Sequence, residues 1–88
     1  MLTGSEIRAG RALVRWRAVD LAAKAGVNLS TIQRAEKVDG PAPLMPANEK
    51  AIRSALEAAG VIFIPENGGG AGVRLKHPAA AVQASGDE

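Results

Sequence analysis

The sequence predicts a mainly α fold of four short helices followed by a C-terminal β-hairpin, and three observations carry that expectation. Apolar residues recur at helical spacing in separate stretches between Thr3 and Gly60. Those stretches are punctuated by Gly26 and by the Gly40, Pro41, Pro43, Pro46 cluster, residues that stop helices and make loops. After Gly60 the pattern changes to the β-branched and aromatic run Val61-Ile62-Phe63-Ile64, then a turn, then an alternating segment.

Thr3 followed by Glu6 is a capping-box pattern, so helix one is expected to begin there and run to about Arg15. Its inward face is read as Ile7, Leu13, Val14 and Trp16, with the small residues Ala9, Gly10 and Ala12 between them. Trp16, the only tryptophan, is expected to anchor the core or an interface. Helix two is read as Ala18 to Ala25. Gly26 then lets the chain leave the helix in a left-handed conformation at little cost. Helix three is expected from Asn28, a good N-cap, to Lys37. Ala22 is small where helices two and three cross, and Val27 and Ile32 supply apolar anchors at the turn and on the inner face. Residues 38–47 are read as a loop. Asn48 is then expected to cap a helix with the core face Ala51, Ile52, Ala55, Leu56 and Ala59, ending at Gly60.

The hairpin strands are read as Val61 to Ile64 and Gly72 to Lys76, joined by a turn at residues 65–70. The first strand is apolar on both faces, whereas a strand covered on one side alternates. One face can lie on the helices; the other, with the unpaired edges, calls for a second copy of the chain. Val61, Ile62, Phe63, Ile64, Val73 and Leu75 are therefore the candidate dimerisation residues. Because side chains alternate, Ile62 and Phe63 point to opposite faces, and the strand alone does not say which faces inward. The expected organisation is a helical domain at 1–60, the hairpin at 61–76 and a flexible tail at 77–88.

The chain of 88 residues allows one domain with a small core. Cysteine is absent, which excludes disulfides and thiolate chemistry. No apolar run approaches the ~20 residues of a membrane span, and Met1 to Glu6 carries no signal-peptide pattern, so a cytoplasmic protein is expected. The net charge is only +2, yet residues 8–37 hold seven basic residues (Arg8, Arg11, Arg15, Arg17, Lys24, Arg34, Lys37) against Asp20 and Glu36, a local surplus of five. Clustering of this kind is the footprint of phosphate binding.

Catalysis is not expected. The one histidine, His77, stands beside Pro78; there is no Cys or Tyr, and the acids Asp20, Asp39, Glu49 and Glu57 are scattered without ligand spacing. The glycine-rich turn joins two strands, whereas a phosphate-binding loop opens a helix. No metal, cofactor or small-molecule ligand is expected.

The stretch from Leu21 to Glu36 thus has a helix-turn-helix layout whose second helix shows a mostly polar outer face. It resembles the Cro/lambda-repressor-type (xenobiotic-response-element-like) helix-turn-helix regulators. The resemblance rests on Leu21-Ala22, Ala25-Gly26-Val27, Ser30-Thr31-Ile32 and Glu36, and loosely covers residues 3–60. It implies a four-helix lambda-repressor-like domain that binds double-stranded DNA. By position it puts Asn28, Leu29, Ser30 and Arg34 at base edges, with Gln33 and Thr31 next in reach. The chain departs from the family at the start of helix two, where Ala18 stands in place of a polar, phosphate-holding residue. The phosphate contacts then fall to Arg17 or Arg15, with Lys37 and Lys50 as further candidates. The resemblance also implies an ion pair between Arg11 and Glu36. The reading is a homodimeric transcriptional regulator, a repressor on a palindromic operator. A protein-interaction module such as an antitoxin, and a retained structural scaffold, are the alternatives.

Overall fold

Helix α1 (Gly4–Leu13) starts where Thr3 and Glu6 dictate. The computed structural model describes residues 1–78, so most of the expected tail at 77–88 lies outside the described residues. The Thr3 hydroxyl accepts the Glu6 N–H at 3.0 Å, and the Glu6 carboxylate accepts the Thr3 N–H at 2.8 Å. This reciprocal box satisfies two N–H groups that a helix start otherwise orphans, and it gives the buried Glu6 carboxylate partners at Oε1.

The helix stops two residues before Arg15, because Arg15 itself turns left-handed, with φ at 59°. The Trp16 N–H returns to the Arg11 carbonyl at 2.9 Å and the Arg15 N–H to Ala12 at 3.2 Å. This is a Schellman closure with arginine in the glycine position. Of the small residues expected on the inward face, only Gly10 is buried; Ala9 and Ala12 face solvent. A Cβ on Gly10 would come within 3.2 Å of Leu56, so its smallness lets α1 approach the core closely.

Helix α2 (Ala18–Ala25) has the bounds expected of it and buries Leu21 and Ala22. Gly26 follows at φ 71°, and the Val27 N–H bonds back to the Ala22 carbonyl at 3.0 Å. Helix α3 (Leu29–Glu36) buries Ile32 and Ala35. Asn28 occupies its N-cap position in an extended conformation, but its side chain makes no capping bond, contrary to expectation.

Helix α4 (Pro46–Ala58) starts at Pro46, with Met45 as N-cap, rather than after Asn48. Proline suits the first helical position, since its φ is already helical and its missing N–H would have had no partner. Met45, before it, is extended as a residue preceding proline must be. Asn48 is thereby placed inside the first turn.

Strands β1 (Val61–Ile64) and β2 (Gly72–Leu75) pair antiparallel, with Val61 opposite Leu75, Ile62 opposite Arg74, Phe63 opposite Val73 and Ile64 opposite Gly72. Lys76 ends outside the strand, though its N–H still reaches the Gly60 carbonyl at 2.7 Å.

One cluster forms the core. Leu2, Ile7, Leu21, Ile32, Ile52 and Leu56 are fully shielded, and Val61 closes the same cluster at 2 % exposure. The hairpin therefore shares the core of the helices. The N-terminus is tied to the loop before α4: Thr3 bridges Pro41, the Gly4 N–H donates to Gly40 at 3.0 Å, and Ala42 donates to Leu2 at 3.0 Å. At Gly4 a Cβ would lie 1.9 Å from the Val38 carbonyl oxygen, so α1 begins pressed against the chain leaving α3. No helix among the described residues is long and apolar enough to cross a membrane.

Candidate nucleic-acid interface

Helix α3 divides into two edges. Ile32 and Ala35, three residues apart, are completely buried. On the opposite side Ser30, Gln33, Arg34 and Lys37, at helical spacings of three and four, line one shallow depression of about 490 Å³. Asn28 and Leu29 lie exposed at the start of the helix, Leu29 at 37 %, and Thr31 is half-buried. Five of the six candidate base-contact residues are thus exposed, and three of them, Ser30, Gln33 and Arg34, share the depression with Lys37. The stripe offers a hydroxyl, a carboxamide and two cations, a set able to bond acceptors and donors on a flat polar edge.

Two arginines of α1 hold the far end of α3. Arg11 makes a bidentate pair with Glu36, Nε to Oε2 and Nη2 to Oε1 both at 2.7 Å, and also donates to the Trp16 carbonyl at 3.0 Å. The hydrogen bond to Glu36 raises the Arg11 pKa above its ordinary value, so this guanidinium stays charged. Both partners are largely shielded, which makes the pair a determinant of orientation more than a source of net stability.

Arg8 was counted in sequence with the basic cluster, and its place is different. It donates to the carbonyls of Glu36 and Val38 at the end of α3 and pairs with Asp39 at 2.6 Å. A cation at these carbonyls satisfies acceptors that the helix end leaves free. The spacing permits these pairings without by itself assigning them. Arg8 and Arg11 stand three apart on α1, as do Glu36 and Asp39 beyond them, so two basic positions meet two acidic ones in register.

With Arg8 and Arg11 turned to these contacts, the exposed cations of the segment are Arg15, Arg17, Lys24, Arg34 and Lys37. Arg17, 80 % exposed, leans on Asp20 with Nε 3.3 Å from Oδ2. Side-chain and backbone hydrogen bonds from Arg17 hold the Asp20 carboxyl below the usual aspartate range. Lys24 sits 6.0 Å above the ring of Trp16, which packs half-buried against the core. Lys50 is exposed on α4 and does not line the α3 depression.

The candidate dimer residues separate by face. The pairing register puts Val61, Phe63, Val73 and Leu75 on one face of the hairpin, and Ile62, Ile64 and Arg74 on the other. Phe63 and Val73 pack against the helical core, and Val61 is part of it, which removes Val61 from any contact with a second molecule. Ile62 and Ile64 are half-exposed on the outer face. Among the described residues no group of three His, Cys, Asp or Glu side chains could hold a metal ion. No protein-family model matches this chain, and no curated protein matches it.

Proposed function

We propose that the chain is a sequence-specific, double-stranded-DNA-binding transcriptional regulator of the Cro/lambda-repressor type, a repressor that reads a palindromic operator as a homodimer through the major groove. The observation that carries this reading is α3: one edge locked into the core by Ile32 and Ala35, the other presenting Ser30, Gln33, Arg34 and Lys37 as a single polar stripe. The tight turn at Gly26 and the Arg11–Glu36 pair hold that stripe at a fixed angle to the body. Fixed orientation is what base readout requires.

In this reading Arg34 takes guanine O6 and N7 with its guanidinium fork, and Gln33 takes adenine N6 and N7. Leu29 packs on a thymine methyl, while Asn28, Ser30 and Thr31 contact neighbouring edges. Arg15, Arg17, Lys37 and Lys50 neutralise phosphates, with Arg17 exchanging its Asp20 contact for the DNA backbone. Two copies about a two-fold axis place their α3 helices one helical turn apart, roughly 34 Å.

Selection of sites from random duplex DNA tests the reading, and an enriched palindrome is the expected result. On that site Arg34→Ala should cost about 1–3 kcal/mol and relax preference at one base pair, whereas Arg17→Ala should weaken all sequences alike and flatten the salt slope by about one. Absence of any enriched sequence, together with affinity that ignores salt, would remove the proposal. An Arg34→Ala loss that is equal on every duplex would reverse the assigned roles.

A further inference from the structure

A groove of about 710 Å³ lies away from α3, walled by Met1, Pro41, Arg53, Phe63, Ile64 and Glu66 among others. Phe63 and Ile64 point to opposite faces of β1, and Pro65, Glu66 and Ala71 line the groove with them, so it lies at the turn end of the hairpin. Among the described residues β1 pairs only with β2, which leaves its other edge unpaired beside the groove. Val61 to Ile64 carries neither charge nor proline, the features that protect an exposed edge, whereas β2 carries Arg74.

Arg53 and Glu66 carry opposite charges that are unmet among the described residues. The Arg53 guanidinium lies over the Phe63 ring, 4.7 Å from its centre. Neither it nor the exposed Glu66 has an opposite charge within 4 Å among the described residues. The other groove carboxylate, Glu6, is taken up by Thr3. A two-fold contact sets a patch against itself, so a patch suits a second copy when it carries both halves of a pairing. This one carries one cation and one acid left free to pair, Arg53 and Glu66, beside the apolar Phe63 and Ile64.

We infer that the groove is filled by a second copy of the chain, with Arg53 of each copy meeting Glu66 of the other. The inference rests on the proposed homodimer and specifies its surface. It replaces a contact through the whole hairpin with one centred on Phe63, Ile64, Arg53 and Glu66. The two-fold repeats the ion pair, so a single reversal sets two like-charge contacts in the interface.

Sedimentation of the full chain across the micromolar range tests this, alongside binding to a duplex carrying a single half-site. Arg53→Glu and Glu66→Arg should each weaken dimerisation about a hundredfold or more, and the double reversal should restore most of it. Glu66 is exposed, so its reversal leaves the fold intact. Arg53→Met, which keeps an unbranched stem on Phe63, covers the case in which Arg53→Glu does not fold. A monomeric parent, a reversal without effect, or a double variant that stays monomeric would overturn the inference. DNA binding separates the two proposals: half-site binding retained by a monomer leaves the DNA reading standing, and a dimeric parent that binds neither half-site nor palindrome removes that reading alone.

Discussion

The helical body and the hairpin treat their apolar residues differently. Leu2, Ile7, Leu21, Ile32, Ile52 and Leu56 are shielded completely, while of the hairpin's six apolar residues only Val61 is. Ile62, Phe63, Ile64, Val73 and Leu75 stay half-buried. The helices can surround a side chain because α2 packs on both α3 and α4 while α1 closes the remaining sides. A two-stranded sheet has one face to give to those helices and keeps the other wet. The difference teaches that this chain closes its core around the base of the hairpin and leaves the rest as surface.

The sharpest way to break this contrast is to place a carboxylate on each side of it. Ile32→Asp buries an unpaired charge and should abolish the cooperative thermal transition, a loss of about 4 kcal/mol or more. Ile62→Asp puts the same group on the outer face opposite Arg74, and should cost the monomer about 1 kcal/mol or less. Circular dichroism melts of the two proteins compare them directly. Equal losses would mean that the outer face of the hairpin is as enclosed as the core.

A second comparison lies within the helical body. Glu36→Ala leaves the Arg11 guanidinium largely shielded and without its acid, and should cost about 3 kcal/mol in urea unfolding. Asp39→Ala, at the neighbouring exposed pair, should cost under about 1 kcal/mol. If the two losses were alike, the shielding of the Arg11–Glu36 pair would have no energetic meaning.

The smallest expected effect concerns the two left-handed helix ends. Gly26 adopts its conformation without penalty, whereas Arg15 adopts a similar one at a cost of about 1 kcal/mol. Arg15→Gly should therefore stabilise the protein by up to about 1 kcal/mol. In the proposed function it should also lower affinity for all DNA and reduce the salt slope by about one. Such a trade, more stability for less binding, would explain an arginine where glycine folds more easily. A stabilised variant with unchanged binding would remove Arg15 from the phosphate contacts.

Much of the fold was legible in the sequence, and the legible parts share a property. The Thr3–Glu6 box, the Gly26 turn, the bounds of α2 and the strand at Val61 to Ile64 are all written in residues next to one another. The start of α4 was misread because Asn48 is a strong capping residue in isolation, yet Pro46 had already committed the backbone to helix two residues earlier. The exposed stripe of α3 was legible too, since Ile32 marks the inner face and leaves Ser30, Gln33 and Arg34 outside, while the burial of Ala35 beside Ile32 was not read from the sequence. The charge cluster was only half legible. The resemblance paired Arg11 with Glu36, as the structure does, but composition counts Arg8 with the surface cations, while its contacts lie at Glu36, Val38 and Asp39, more than twenty residues away.

By itself, then, the sequence determined the elements, their order, most of their ends and the polarity of each helix face. These depend on dihedral preferences and on side chains within one turn of each other. Tertiary structure alone decided that Phe63 faces the helices and Ile62 faces away, that Arg8 clamps the end of α3, and that Arg53 rests on Phe63. An alternating strand looks the same from either side until a core is laid against it, and a cation has no assigned partner until the chain brings one within reach.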